Sequence, residues 1–142
     1  MNVLIVFAHP DPRSLNASLR DVCVDELTSL GHAVEISDLY AMNFKPVVDR
    51  DDFPLLQTDE RLKVALASKA GYASDTLTGD VRAEIEKLKR ADALILHFPF
   101  WWYSMPAILK GWVDRVFACG FAYGVGEHSD AKWGNRFGEG SL

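Results

Sequence analysis

The sequence predicts a doubly wound α/β protein built on a parallel sheet, and three observations carry that expectation. Residues 3–7 (Val3-Leu4-Ile5-Val6-Phe7) and 91–98 are short runs apolar on both faces, as buried parallel strands are. A segment of helical period separates each strand-like run from the next, so sheet neighbours have to be joined by crossovers. Right-handed crossovers then place three strands in the spatial order 2-1-3.

Each element follows from local chemistry. After the first strand, residues 8–13 form a polar loop punctuated by prolines, and Ser14 is a good helix N-cap. Leu15, Leu19, Val22, Cys23, Leu27 and Leu30 recur at helical spacing, and Gly31 stands where a helix ends on glycine. Residues 33–37 read as the second strand, with Val34 and Ile36 on one face. An irregular loop follows over about 38–58, rich in proline and aspartate. Thr58 is a candidate cap for a short helix with Asp59 and Glu60 in its first turn and Gly71 after its end. A further helix is predicted over 80–90, with Val81, Ile85 and Leu88 inward. Pro99 stops the third strand, and the last helix opens near Met105-Pro106 and ends at Gly120. A glycine-rich tail occupies about 120–142.

A chain of 142 residues favours one domain over 1–142. Its net charge of -5 argues against nucleic-acid binding, which normally shows a basic excess. No apolar run approaches the roughly 20 residues that span a bilayer, and no signal-peptide pattern opens the chain. Cys23 and Cys119 lack metal-ligand spacing and read as reduced thiols, which points to the cytoplasm. No metal site is expected: His128 and Asp130 stand without further ligands.

In an open α/β sheet, ligands bind beyond the carboxyl ends of the strands where strand order reverses, here after strands 1 and 3. The first of those loops, His9-Pro10-Asp11-Pro12-Arg13-Ser14-Leu15-Asn16, sets donors and positive charge at a helix N-terminus, where an anion binds. It is neither a P-loop nor a dinucleotide fingerprint, because the glycines of both are absent. The plainer alternative makes Ser14 only a cap and His9 only a loop histidine. The second loop, Phe98-Pro99-Phe100-Trp101-Trp102-Tyr103-Ser104, holds five aromatics directly after a strand. They suit a flat apolar cofactor, or else a hydrophobic plug or oligomer interface. His97, in an apolar strand, reads as a core residue rather than a catalytic base.

These residues carry a likeness. Ala8-His9, Ser14-Leu15-Asn16, the run from Ser37 through Asp38-Leu39-Tyr40-Ala41-Met42-Asn43 to Phe44, Phe98-Pro99, Trp102, Pro106-Ala107-Ile108-Leu109-Lys110-Gly111-Trp112, Arg115-Val116-Phe117 and Phe121-Ala122-Tyr123 stand in the order of a known family. The chain resembles the NAD(P)H dehydrogenase (quinone) family. The resemblance implies a flavodoxin-like fold, a homodimer and bound FAD, with FMN as the alternative. It implies two-electron transfer from NAD(P)H through the flavin to a quinone. By the same likeness the loop with His9, Ser14, Leu15 and Asn16 holds the flavin phosphates, and Ser18 stands at a further contact position. Pro99, Phe100, Trp101, Trp102 and Tyr103 lie along the flavin ring, and Tyr123, Gly124 and Val125 border the acceptor pocket. The family has a smaller polar residue at Trp101 and a second pocket tyrosine at Val125. Its fourth and fifth strands, with a tyrosine and a histidine linked to hydride transfer, have no counterpart here. The expectation is therefore a truncated relative with no catalytic residue of its own. A flavin-free interaction or regulatory subunit, for example of a potassium efflux system, and an inactive relative are the alternatives.

Overall fold

The computed structural model describes residues 1–124. Among the described residues one sheet has three strands, β1 (Asn2–Phe7), β2 (Ala33–Asp38) and β3 (Ala93–His97), in the order β2-β1-β3. Both pairings are parallel, and the register sets Phe7 opposite Asp38 on one side and His97 on the other. The expected 2-1-3 order and the parallel sheet are thus present. Helices α1 (Leu15–Ser29), α2 (Val64–Ala73), α3 (Gly79–Arg90) and α4 (Ala107–Val116) complete the architecture, with a short 3-10 turn at Arg50–Asp52.

The described chain groups into two compact units. The first comprises Met1–Pro46 and Glu86–Trp112. Its core is β1, where Val3 to Ala8 are all buried, joined by Ala17, Leu39, Phe44, Leu88, Ala91, Leu109 and Trp112. Burial on both faces is what a central parallel strand requires, and it explains the unbroken apolar run. Gly31 closes α1 in a left-handed conformation, φ 80°. His32 N–H donates to Leu27 O and Gly31 N–H to Thr28 O, which satisfies carbonyls that the helix end leaves open. Asp38 shapes the next turn by accepting Ala41 N–H at 3.1 Å, while Asn43 takes a left-handed φ of 49°. The run from Ser37 to Phe44 is therefore a built turn that buries Leu39 and Phe44 while Met42 stays exposed.

The second unit comprises Val47–Ile85 and, among the described residues, 113–124. Phe53, Leu77, Val81, Ile85, Val116, Ala118 and Phe121 are buried there. Arg115 runs through it as a buried cation. Its guanidinium contacts Asp52 at 2.8 Å, Asp80 at 2.6 Å and Thr78 Oγ1 at 3.2 Å. One side chain thus ties the 3-10 turn and the start of α3 to the end of α4. Asp80 is held below the usual carboxylate range: burial opposes this, but the hydrogen bonds from Arg115 and Thr78 outweigh it.

Two expectations need correction. Thr58 caps no helix; α2 begins at Val64 behind Lys63, which makes no side-chain cap. Gly71 lies inside α2, buried, at a point where a Cβ would sit 2.6 Å from Leu77 Cδ2. Local propensity suggested a stop at this glycine, while close packing is what it serves. The cover of α1 is a separate finding. Its helical spacing is real, yet Leu15, Leu19, Val22 and Leu30 are all more than half exposed and Ala17 is the residue it buries. Periodicity identifies a helix; it does not say which face is covered.

Candidate functional site

The first loop is built from β1 outward. Ser14 is the N-cap of α1, its Oγ accepting Ala17 N–H at 3.1 Å. An N-cap serves one first-turn amide and leaves those of Leu15 and Asn16 directed out of the helix start, where a negative group is favoured. Ser18 lies one turn on, its hydroxyl 3.4 Å from Ser14 O. His9 Nδ1 lies 3.0 Å from Asp11 N and 3.1 Å from Asp11 O, so the loop's own backbone holds the ring in place. Asp11 would repel an anion, but Arg13 neutralises it through bonds of 3.2 and 3.3 Å. That hydrogen bonding from Arg13 also lowers the Asp11 pKa.

The second loop leaves β3. Trp101 and Ser104 exchange both backbone hydrogen bonds, at 3.0 and 2.9 Å, around a two-residue turn. Trp102 and Tyr103 at its tip have φ of 49° and 61°. Two left-handed residues in a two-residue hairpin define a type I′ turn, whose normal occupants are Asn and Gly. Bulky aromatics there cost roughly 1–2 kcal/mol each. They also gain little from packing, since Trp102 is 95% and Tyr103 89% exposed. Strain combined with display of apolar rings marks a surface built for contact. Trp101 turns toward the other loop, its ring 6.2 Å from that of His9. The two loops singled out from the sequence therefore meet, at the carboxyl ends of the neighbouring strands β1 and β3.

Two further residues lie beside these loops. His97 ends β3 with its ring 5.6 Å from Phe7, and Arg20 of α1 lies 4.5 Å over the same Phe7 ring while pairing with Asp38 at 3.4 Å. Sequence reasoning assigned Arg20 no role; its place four residues beyond Asn16 on α1 was the available signal. Burial pushes the His97 imidazole below its ordinary value, a backbone contact with Asn16 opposes the change, and the charge of Arg20 reinforces it. A contact that favours the protonated ring is an acceptor, hence the Asn16 carbonyl. The folded pKa lies below the unfolded 6.5, so this contribution to stability is complete above pH 6.5 and lost as pH falls through the folded value. Imidazole NMR titration is expected to give His97 a pKa below 6.5, and His97→Gln to flatten the stability profile in that window. A normal or raised value would contradict the burial.

Tyr123 and Gly124 belong to the second unit, while Val125, His128 and Asp130 lie outside the described residues. The Tyr123 phenol is pushed upward by burial and then by neighbouring Cys119, although 43% of the residue's surface is exposed. Among the described residues no cluster of His, Cys, Asp or Glu could hold a metal ion. No described helix is long and apolar enough to cross a membrane.

A parallel 2-1-3 sheet with its loops converging beyond the strand ends is the frame of the flavodoxin-like proteins. The chain belongs to the flavodoxin-like fold family, whose profile matches residues 1–140. Within that fold its kin are quinone oxidoreductases. It is 57% identical over its whole length to a ribosyldihydronicotinamide dehydrogenase-like protein of Penicillium crustosum, covering 53% of that protein. It is 44% identical over 87% of its length to the ribosyldihydronicotinamide dehydrogenase [quinone] of Homo sapiens, covering 54% of it. Among solved structures, a protein of Klebsiella pneumoniae provisionally named a quinone reductase superposes with a TM-score of 0.88 at 52% identity, over 99% of this chain and 54% of that one. The NAD(P)H:quinone oxidoreductase of Methanothermobacter marburgensis matches with a TM-score of 0.74 at 36% identity, over 89% and 58% respectively. The chain thus spans about half the length of the relatives it matches.

Proposed function

We propose that the chain is the flavin-binding part of an NAD(P)H:quinone oxidoreductase. The observation that carries this reading is the strained Trp102-Tyr103 turn, which displays two rings beside the His9 loop. The fit to a flavin is chemical as well as spatial. A helix start with two open amides beside His9 suits phosphate, and an adjoining aromatic ledge suits a flat ring. His9, Ser14, Leu15 and Asn16 would hold the phosphates, with Ser18 at a further contact. Pro99, Phe100, Trp101, Trp102 and Tyr103 would flank the ring, and Tyr123, Gly124 and Val125 the acceptor. We read the cofactor as FAD rather than FMN on the family likeness. Once bound, the flavin supplies two-electron transfer from NAD(P)H to a quinone. What the chain's own residues do is orient it: Trp101 packed on His9 ties the ring ledge to the phosphate turn.

Residues 1–142 are proposed to act as one domain and the protein to work as a homodimer, a reading supported by the exposed apolar positions of α1. Cys23 and Cys119 are both free, which suits a reducing cytoplasm. The same exposed face of α1 also favours a second reading, a flavin-free subunit that docks on another protein. An absorption spectrum of the purified chain separates the two. A flavin band bleached without oxygen by NADPH, NADH or N-ribosyldihydronicotinamide supports the oxidoreductase. A colourless chain that takes up neither FAD nor FMN supports the docking subunit.

A further inference from the structure

The segment after α4 is a tight turn that carries Tyr123. Ala118 O accepts the N–H groups of Phe121 and Ala122 at 3.1 and 3.0 Å, and Gly120 N–H donates to Tyr123 O at 2.7 Å. Gly120 takes a φ of 87°, and Cys119 bridges to Tyr123. The Cys119 amide, by contrast, is donated outward: Ser68 Oγ of α2 accepts it at 2.9 Å. Ser68 is a buried side chain in mid-helix, 8% exposed. Serine is a poor helix former, and a buried hydroxyl needs a partner, so its presence there calls for a reason. One turn along the helix, the Tyr72 ring packs 5.7 Å from that of Phe121, and Tyr72 Cδ1 would lie 3.5 Å from a Cβ placed on Gly120. Two successive positions on one face of α2 therefore grip the turn, one by hydrogen bond and one by ring contact.

We infer that Ser68 is a positioning residue for quinone reduction: through the Cys119 amide it fixes the turn that presents Tyr123. The inference rests on reading Tyr123 as a wall of the acceptor pocket. Ser68 itself lies off the reacting atoms. Its loss leaves a part-buried N–H unsatisfied and frees the turn to move, so the acceptor should bind less well while the flavin site is untouched.

The test compares wild-type chain, Ser68→Ala, Ser68→Thr and Tyr123→Ala, with menadione as the quinone probe. Losing the hydrogen bond in Ser68→Ala is expected to raise KM for menadione about tenfold and to change kcat and flavin affinity less than about twofold. Ser68→Thr keeps the hydroxyl and should restore KM. In parallel, amide hydrogen exchange over residues 118–124 should quicken in Ser68→Ala and return to normal in Ser68→Thr, with β1 unaffected. An unchanged KM in Ser68→Ala beside a raised KM in Tyr123→Ala overturns the inference. If Tyr123→Ala leaves KM unchanged, or the wild type shows no turnover, the acceptor reading fails. Exchange then decides by itself whether Ser68 holds the turn. Collapse of both Ser68 variants would also overturn it, because the residue would then hold the fold.

Discussion

Arg115→Ala is expected to remove about 3–5 kcal/mol of stability, because it takes away the guanidinium that pairs with the buried Asp52 carboxylate. Arg115 is 6% and Asp52 2% exposed, so solvent cannot take over that role. The guanidinium uses Nε and Nη2 on Asp52 and Nη1 on Asp80, a fork that an ammonium cannot reproduce. Arg115→Lys should therefore recover only part of the loss. Thermal unfolding should show a midpoint lowered by roughly 10 °C or more for the alanine variant. Pairing Arg115→Met with Asp52→Leu should restore much of the stability, since removing both charges of a buried pair is far cheaper than removing one. A loss under about 1 kcal/mol for Arg115→Ala would mean the cluster is hydrated in solution.

Gly111→Ala is expected to be nearly as damaging, for a steric reason. A Cβ at Gly111 would lie 2.0 Å from Pro46 O and 2.5 Å from Pro46 C and Cα. All three are backbone atoms, so no rotamer change relieves the clash and either α4 or the Pro46 segment must move. Overpacked sites typically cost 1–3 kcal/mol, and this one should reach about 3 kcal/mol or more. Gly79→Ala is the matched control: nothing lies within 4 Å of its Cβ position, and no loss is expected. Chemical denaturation of the two variants side by side checks both statements. Equal midpoints would show that the Pro46 segment yields freely.

The same residues show how far the sequence could be read. The lysine-glycine-tryptophan run of α4 was legible as a family signature, but its glycine acquires a reason only from the backbone of Pro46, far away in sequence. Strand order followed from apolar runs and crossover handedness, both local matters. The α1 stripe identified a helix but not its covered face, because a period of 3.6 says nothing about what packs against it. Gly71 misled for a related reason: glycine ends helices and also permits close packing, and only Leu77 decides between them. At the site, both loops were legible from their place after β1 and β3. The left-handed turn at Trp102 and Tyr103 was not, since nothing in their propensities favours it. Its cost is borne against local preference, as happens at functional sites.

The loops after β1 and β3 are proposed to form one flavin site. Amide and indole chemical shifts of isotope-labelled chain, followed during titration with FAD and then FMN, test it most directly. Saturable shifts are expected, confined to residues 9–18 and 97–104, including the Trp101 and Trp102 indoles, and lost in a Trp102→Ala variant. Shifts spread over α2, or none at flavin concentrations well above those that saturate flavoproteins, would contradict it.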